Sequence, residues 1–163
     1  MIYKSRHHDD DTLKLGMAVA PSPSSPVKRL TGEPIFNFSN PNTHVEDPYF
    51  WYDKKKKLFC ILAKDDSKNG DTSLTGEWGA GFFASSKDAK SFTIEKDSKV
   101  YSRTIKWEEG KITTQGNLER ISLLLNEEGE PYYVYFASGP SSNPYSFKLP
   151  TYIIGMEVKK KEE

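Results

Sequence analysis

Two short stretches of the chain place carboxylates beside apolar strand-like sequence. The segment "HVEDPYFWYD" at 44–53 carries Glu46 and Asp47, and "GNLERISLLL" at 116–125 carries Glu119 at a matching place. Ionised carboxylates resist burial, so acids at these places need either solvent or a chemical task. Two carboxyl groups that flank a sugar, one protonated and one ionised, can cleave a glycosidic bond. The spacing therefore indicates a hydrolytic acid pair, and a solvated strand end is the alternative.

The surroundings of these acids affect the chemistry that we expect of them. Like charges in one pocket raise the pKa of one partner, which keeps an acid protonated near neutral pH. Arg120, next to Glu119, acts in the opposite direction unless it points elsewhere or holds a substrate oxygen. Because Glu46 and Asp47 both stand at the head of the same strand, the sequence does not decide between them.

Composition bounds the classes of partner. The chain has 163 residues and its 23 Lys and Arg balance its 23 Asp and Glu, so its net charge is zero. Such a chain lacks the positive field that attracts nucleic acid or an anionic membrane, and we expect neither partner. The aromatic content of 13% suits a β core and also surfaces that stack on sugar rings. The single cysteine, Cys60, rules out an internal disulfide and is predicted to be buried.

Short strands bounded by turn residues follow one another along the whole chain, and no helical periodicity is sustained. Hairpins that recur at a spacing of roughly fifty residues predict an all-β fold of propeller blades. The predicted strands are Met1–Ser5, Leu13–Ala20, Tyr49–Tyr52, Lys57–Lys64, Gly79–Ser85, Phe92–Glu95, Ile121–Leu125, Tyr132–Ser138 and Thr151–Val158. The segments 54–57 and 126–131 are predicted hairpin turns, and Trp51 is predicted to lie in the core.

The chain supplies about three blades, fewer than the four to eight that close a propeller. Its first residues, "MIYKSR", have the pattern of a strand end, with "LKLGMAVA" as the hairpin partner after "HHDDD". We therefore expect residues 1–158 to form a partial propeller domain whose N-terminal blades are missing, and residues 159–163 to form a charged tail. Unpaired blade edges would favour self-association.

Four motifs carry a resemblance to a known group of proteins. They are "HVEDPYFWYDKKKKLFCILAKD", "SSKDAKSF", "VYSRTIKWEEG" and "GNLERISLLLNEEGEPYYVYFAS". Together they resemble the five-bladed propeller glycoside hydrolases, in particular families 43 and 117 and their bacterial relatives. The resemblance covers residues 1–158 but only the later part of the family domain. Ile121 stands where the family favours proline, and "SSPVKRL" lacks the usual glycine–proline pattern.

The resemblance implies three acids from separate blades. By position, Glu119 resembles the general acid and Asp47 the carboxylate that tunes the pKa of that acid. The general base would come from a blade upstream of this chain. His44, Glu46 and Arg120 would bind or orient the substrate. Members of the group are commonly periplasmic or secreted, but this chain alone does not predict a location.

Other residues add weaker signals. Trp78 and Trp107 lie near predicted turns, where their rings can stack on a saccharide. The "HHDDD" segment at 7–11 offers metal ligands, but adjacent ligands in a turn rarely close on one ion, so we predict a solvated loop. No motif for a cofactor is present, and none is expected.

These observations predict hydrolysis, with inversion, of glycosidic bonds in oligosaccharides derived from plant or algal polysaccharides. The partner would be the carbohydrate substrate, and this chain alone would be inactive because loss of the general base costs about 10²–10⁴-fold. The alternative is a non-catalytic carbohydrate-binding propeller fragment or an inactive truncated product.

Overall fold

The computed structural model describes residues 1–6, 8–9, 11–67, 73–140 and 149–159, and these residues form strands and turns. Across this described part, no helix has the length and apolar character of a membrane-spanning segment. The all-β prediction is confirmed. The strands are β1 (Ile2–Arg6), β2 (Leu13–Val19), β3 (Lys28–Arg29), β4 (Val45–Asp53), β5 (Leu58–Asp65), β6 (Gly81–Ser86), β7 (Thr93–Tyr101), β8 (Thr104–Lys106), β9 (Ile112–Thr114), β10 (Asn117–Leu125), β11 (Pro131–Gly139) and β12 (Tyr152–Glu157).

The strands form antiparallel sheets in which chain neighbours pair with each other. The sheet orders are β1-β2-β3, β4-β5-β6-β7, β8-β9 and β10-β11-β12. A meander of this kind is how a propeller blade is built, so the sheets are consistent with propeller-like blades. The predicted turns at 54–57 and 126–130 join β4 to β5 and β10 to β11.

Several strand boundaries differ from the sequence-based expectation. Strands β4 and β10 begin at Val45 and Asn117, so their acids lie inside the strands rather than in front of them. Strand β7 extends to Tyr101, and the short strands β3, β8 and β9 were not predicted. Irregular pairing explains the errors in β4, β7 and β10, because each has a register shift that interrupts the alternation of side chains.

The sheet β4–β7 packs between its two neighbours, and its strand β5 is buried on both faces. Cys60 and Leu62 belong to a core cluster shared with β10–β12, whereas Ile61 and Ala63 belong to one shared with β2. Successive side chains of a strand point to opposite faces, which explains the division. The predicted burial of Trp51 and Cys60 is confirmed, and burial raises the pKa of the Cys60 thiol to about 11.

A close contact between Gly81 and Tyr101 holds β6 against β7. A Cβ atom on Gly81 would overlap Cε1 of Tyr101, whose ring packs at 4.7 Å from that of Phe136. We expect Gly81→Ala to lower the free energy of unfolding by about 1–3 kcal/mol, because the added methyl group must displace a packed ring. Urea denaturation measures the change. The matched control is Gly32→Ala, since a Cβ there meets nothing within 4 Å. Equal losses in the two variants would contradict the prediction.

Candidate functional site

Strand β4 carries a β-bulge at its acids. The regular pairing with β5 stops after Glu46 and resumes at Tyr49, so Asp47 and Pro48 together oppose one residue. Asp47 has a φ of 50°, a left-handed conformation that costs energy for a residue with a side chain. Pro48 has no N–H to offer the ladder, which suits a bulge position. Bulges redirect side chains, and here the bulge allows acidic residues inside a core strand.

Strand β10 repeats this bulge. Its pairing with β11 stops after Glu119 and resumes at Ser122, and Arg120 has a φ of 56°. Glu119 therefore occupies the place of Glu46, and Arg120 occupies the place of Asp47. The sequence-based match between the two strand heads is sharpened by this geometry, because it aligns the two glutamates rather than Glu119 with Asp47.

The two bulges contact each other through Asp47 and Arg120. The backbone N–H of Arg120 donates to Oδ2 of Asp47 at 3.0 Å, and its guanidinium donates to Oδ1 at 2.5 Å. The Asp47 side chain is 4% exposed, whereas that of Arg120 is 71% exposed. A buried carboxylate is thus held by an arginine that reaches it from the solvent side.

Lys64 lies at the centre of the site, and the sequence analysis missed it. Its side chain is buried at the end of β5, and its ammonium contacts Oε1 of Glu46 and, at 2.7 Å, Oε1 of Glu119. Lys4 on β1 contacts the other oxygen of Glu46 at 2.6 Å. The available signal was the sequence "CILAKDD", in which a lysine interrupts a run of core residues, because a buried lysine needs paired carboxylates.

The carboxyl groups form one compact cluster. Oxygens of Glu46, Asp47 and Glu119 lie within 4.8 Å of one another, a spacing at which acids can also hold a metal ion. Lys64 already places a cation against two of these carboxylates. The arrangement is therefore that of a buried ion-pair network.

The pKa values of the central pair move apart. Burial raises the pKa of Glu119, Lys64 opposes this rise, and the hydrogen bond with Asp47 adds to it. Burial would also raise the pKa of Asp47, but the Arg120 N–H, the hydrogen bond with Glu119 and the charge of Lys64 bring it below its ordinary value. Two carboxyl groups that share a site in this way divide the roles of acid and carboxylate.

The surrounding groups complete the charge balance. Burial opposes ionisation of Glu46, but hydrogen bonds from Lys4 and Lys64 lower its pKa below the ordinary value. Burial raises the pKa of Asp66, which lies 3.7 Å from the Lys64 ammonium. With all four acids ionised, four negative charges would face three positive ones, so a proton on Glu119 balances the cluster. The four acids are Glu46, Asp47, Asp66 and Glu119, and the three cations are Lys4, Lys64 and Arg120.

Trp78 lies beside this cluster, as predicted for a residue of the same site. Its indole N–H donates to Asp66 at 2.9 Å, and the Lys64 ammonium lies 5.9 Å from its ring centroid. The guanidinium of Arg103 is 4.8 Å from the same centroid. Cations thus already lie over this ring, and its predicted stacking on a sugar stays a prediction.

Asp65 anchors the segment that carries Trp78. The Asp65 carboxylate is fully buried and accepts hydrogen bonds from Ser67, Ser73 and Thr75. Its backbone also pairs with Gly79 and Ala80. These bonds return the chain to the end of β5, next to Lys64.

His44 is connected to the site through the backbone. Its carbonyl accepts from the N–H of Asp66 at 3.0 Å, and its Nδ1 faces the N–H of Leu13 at 3.3 Å. His44 therefore borders the acid cluster. Its predicted contact with substrate stays a prediction.

Trp107 belongs to a different part of the surface. Its indole N–H donates to Thr113 at 2.7 Å within the hairpin β8–β9, and the ring lines a depression with Tyr133 and Met156. Tyr133 lies four residues along β11 from Ala137, the residue that pairs with Glu119. The structure therefore does not bring Trp107 into the acid cluster.

Only part of the "HHDDD" segment can be described. His7 and Asp10 lie outside the described residues. The exposed pair His8 and Asp9 is joined at 2.9 Å between Nδ1 and Oδ1, and the Asp11 carboxylate pairs with Arg6. Among the residues of this segment that the structure describes, the contacts are those of a solvated turn.

An open depression borders the acid cluster. Its volume is about 340 Å³, and β1, β4 and β10 all contribute to its wall. Asp47 lies on the wall between the basic side chains of Lys4 and Arg120, and the other lining residues are Ile2, Tyr3, Pro48 and Ile121. A ligand in this depression would therefore meet the carboxylate that contacts Glu119.

Comparison with known proteins supports the fold alone. No protein-family model matches the sequence, and no curated protein matches it. Of two similar solved structures, one is described as "Glycoside hydrolase" and the other as a complex of BT0996 and RGII. Each is 13% identical to this chain with a TM-score of 0.63, and each alignment covers 98% of this chain. The chain spans 40% of the length of either structure. The likeness shows a glycoside hydrolase-like fold, and membership of families 43 or 117 stays a prediction.

Proposed function

We propose that this chain takes part in the hydrolysis of glycosidic bonds, with Glu119 as the general acid and Asp47 as the carboxylate that keeps it protonated. The observation that carries the proposal is the contact between these two carboxyl groups, whose pKa values move in opposite directions. A general acid needs a pKa near the working pH, and a glutamate reaches it through burial and a neighbouring carboxylate.

The spacing within the cluster supports this division of roles. The acid and base of an inverting glycosidase stand about 6.5–9.5 Å apart, so that a water molecule fits between them and the sugar. Glu46, Asp47 and Glu119 are closer, within 4.8 Å, and Lys64 contacts two of them. We therefore assign the base to none of these three residues. The family resemblance places it on a further blade, and this assignment is part of the proposal.

A test that does not depend on the base uses azide as the nucleophile. Azide attacks the anomeric carbon without losing a proton, while the leaving oxygen takes its proton from Glu119. We expect oligosaccharides of arabinofuranose, xylose or galactose to yield a glycosyl azide with this chain. Mass spectrometry identifies the product, and Glu119→Gln is the matched control that must abolish it on substrates with a poor leaving group.

The second candidate is a carbohydrate-binding module without catalysis. It is favoured by the direct ion pair between Lys64 and Glu119, which holds the acid in its ionised form. Calorimetry that detects sugar binding, together with no cleavage in the presence of azide, would select this candidate. Neither binding nor cleavage across the panel would contradict both candidates.

A further inference from the structure

We propose that Lys64 is the positioning residue of the acid cluster: its ammonium orients the Glu119 carboxyl group and confines the dissociable proton of that group to Oε2. The inference deepens the proposed function, because it concerns the residue assigned as the acid. Lys64 itself would not contact the reacting atoms. It would act through Glu119.

The pairing of the strands explains why one lysine serves two glutamates. Lys64 on β5 lies directly opposite Glu46 on β4. The corresponding residue opposite Glu119 is Ala137, which has no charge to offer. Because the two bulges place Glu46 and Glu119 at equivalent positions, the ammonium of Lys64 contacts both carboxylates from one side.

Hydrogen-bond chemistry then fixes the proton. An ammonium group has three donors and no acceptor, so the oxygen that it contacts must accept. Lys64 contacts Oε1 of Glu119 at 2.7 Å, and a proton on Glu119 must therefore be carried by Oε2. The same contact holds the carboxyl group in one rotamer. A buried lysine is suited to this task because its side chain has little room to move, and Lys64 is 1% exposed.

The charge of Lys64 also limits how far the acid is weakened. The ammonium stabilises the ionised form of Glu119, whereas Asp47 destabilises it. Removing the ammonium should leave the repulsion from Asp47 unopposed, so the pKa of Glu119 should rise. The other ionisable groups of this neighbourhood are Glu46, Asp47, Lys4, Asp66, Arg120 and Tyr101.

The test is a titration of the Glu119 carboxyl carbon by ¹³C NMR in the unliganded chain, with Glu119→Gln used for assignment. In Lys64→Met we expect the midpoint to move upward by about 1–3 pH units, since an opposite charge within contact distance has an effect of this size. The matched control is Lys4→Met, which removes a cation that contacts Glu46 but not Glu119. Its midpoint should stay within a few tenths of a pH unit of the wild type, by the same rule of proximity.

Charge rescue separates positioning from general stability. Lys64→Arg keeps the cation, so its midpoint should return close to that of the wild type. An unchanged midpoint in Lys64→Met, or equal changes in Lys64→Met and Lys4→Met, would overturn the inference.

A measurement on the unmodified chain decides the question if Lys64→Met does not fold. The ¹⁵Nζ resonance of Lys64 should change at the same pH as the Glu119 carboxyl carbon. A resonance that does not respond at that pH would overturn the inference. No sugar is present in either experiment, so failure of the proposed hydrolysis and failure of this inference give different results.

Discussion

Replacing Glu119 with glutamine should lower kcat/KM on a glycoside with a poor leaving group by about 10²–10⁴-fold, the usual contribution of general acid catalysis. Glutamine has the shape of glutamate but no proton to donate. The chemistry must then expel an unprotonated alkoxide. The measurement is steady-state or azide-dependent cleavage of a natural oligosaccharide, with the purified variant compared with the wild type.

The leaving group provides the control for this prediction. A glycoside of 2,4-dinitrophenol leaves as a stable anion and does not need an acid, so Glu119→Gln should cleave it almost as well as the wild type. An equal loss on both substrates would mean that Glu119 has another role, such as binding. The pH profile gives a second check. Because the pKa of Glu119 is raised, activity that needs its protonated form should persist above the ordinary pKa of glutamic acid and fall as pH rises through the raised value.

The largest loss of stability should come from Asp65→Ala, at about 3–5 kcal/mol of unfolding free energy. The carboxylate is fully buried and accepts from two backbone N–H groups and two hydroxyl groups. Alanine removes the acceptors and leaves buried donors without partners, each of which costs about 1–3 kcal/mol. Urea denaturation followed by tryptophan fluorescence measures the loss, and Trp78 lies close enough to report it.

The matched control for this variant is Asp97→Ala, which removes an exposed aspartate from strand β7. A surface substitution of this kind should change the unfolding free energy little. Similar midpoints for Asp65→Ala and Asp97→Ala would show that Asp65 does not hold its segment in place.

The sequence was sufficient for the fold class because the relevant signals are local. Alternating apolar residues, glycine and proline in turns, and repeated hairpins depend on neighbours within a few positions. Trp51 and Cys60 were correctly assigned to the core for the same reason. The short strands β8 and β9 were missed because strands of three residues carry too little pattern.

The site was only partly predictable because it depends on contacts between distant residues. The sequence identified Glu46, Asp47 and Glu119, since acids stand out in apolar strands. It missed Lys64, whose role arises from three separate strands meeting at one place. Similarly, the contact between Asp47 and Arg120 joins residues on two sheets, and adjacency in sequence had suggested only that Arg120 affects Glu119.

The bulge in β4 also acts as a change of phase along the strand. Val45 and Trp51 are six residues apart, so in a regular strand they would point to the same face. Instead, Val45 belongs to the core shared with β2, and Trp51 belongs to the core shared with β10–β12. The extra residue reverses the alternation, so a single strand seals one core before the bulge and the other after it. The irregularity that admits the acids is thus also a joint between two hydrophobic interiors, and shortening it by one residue would exchange their contents.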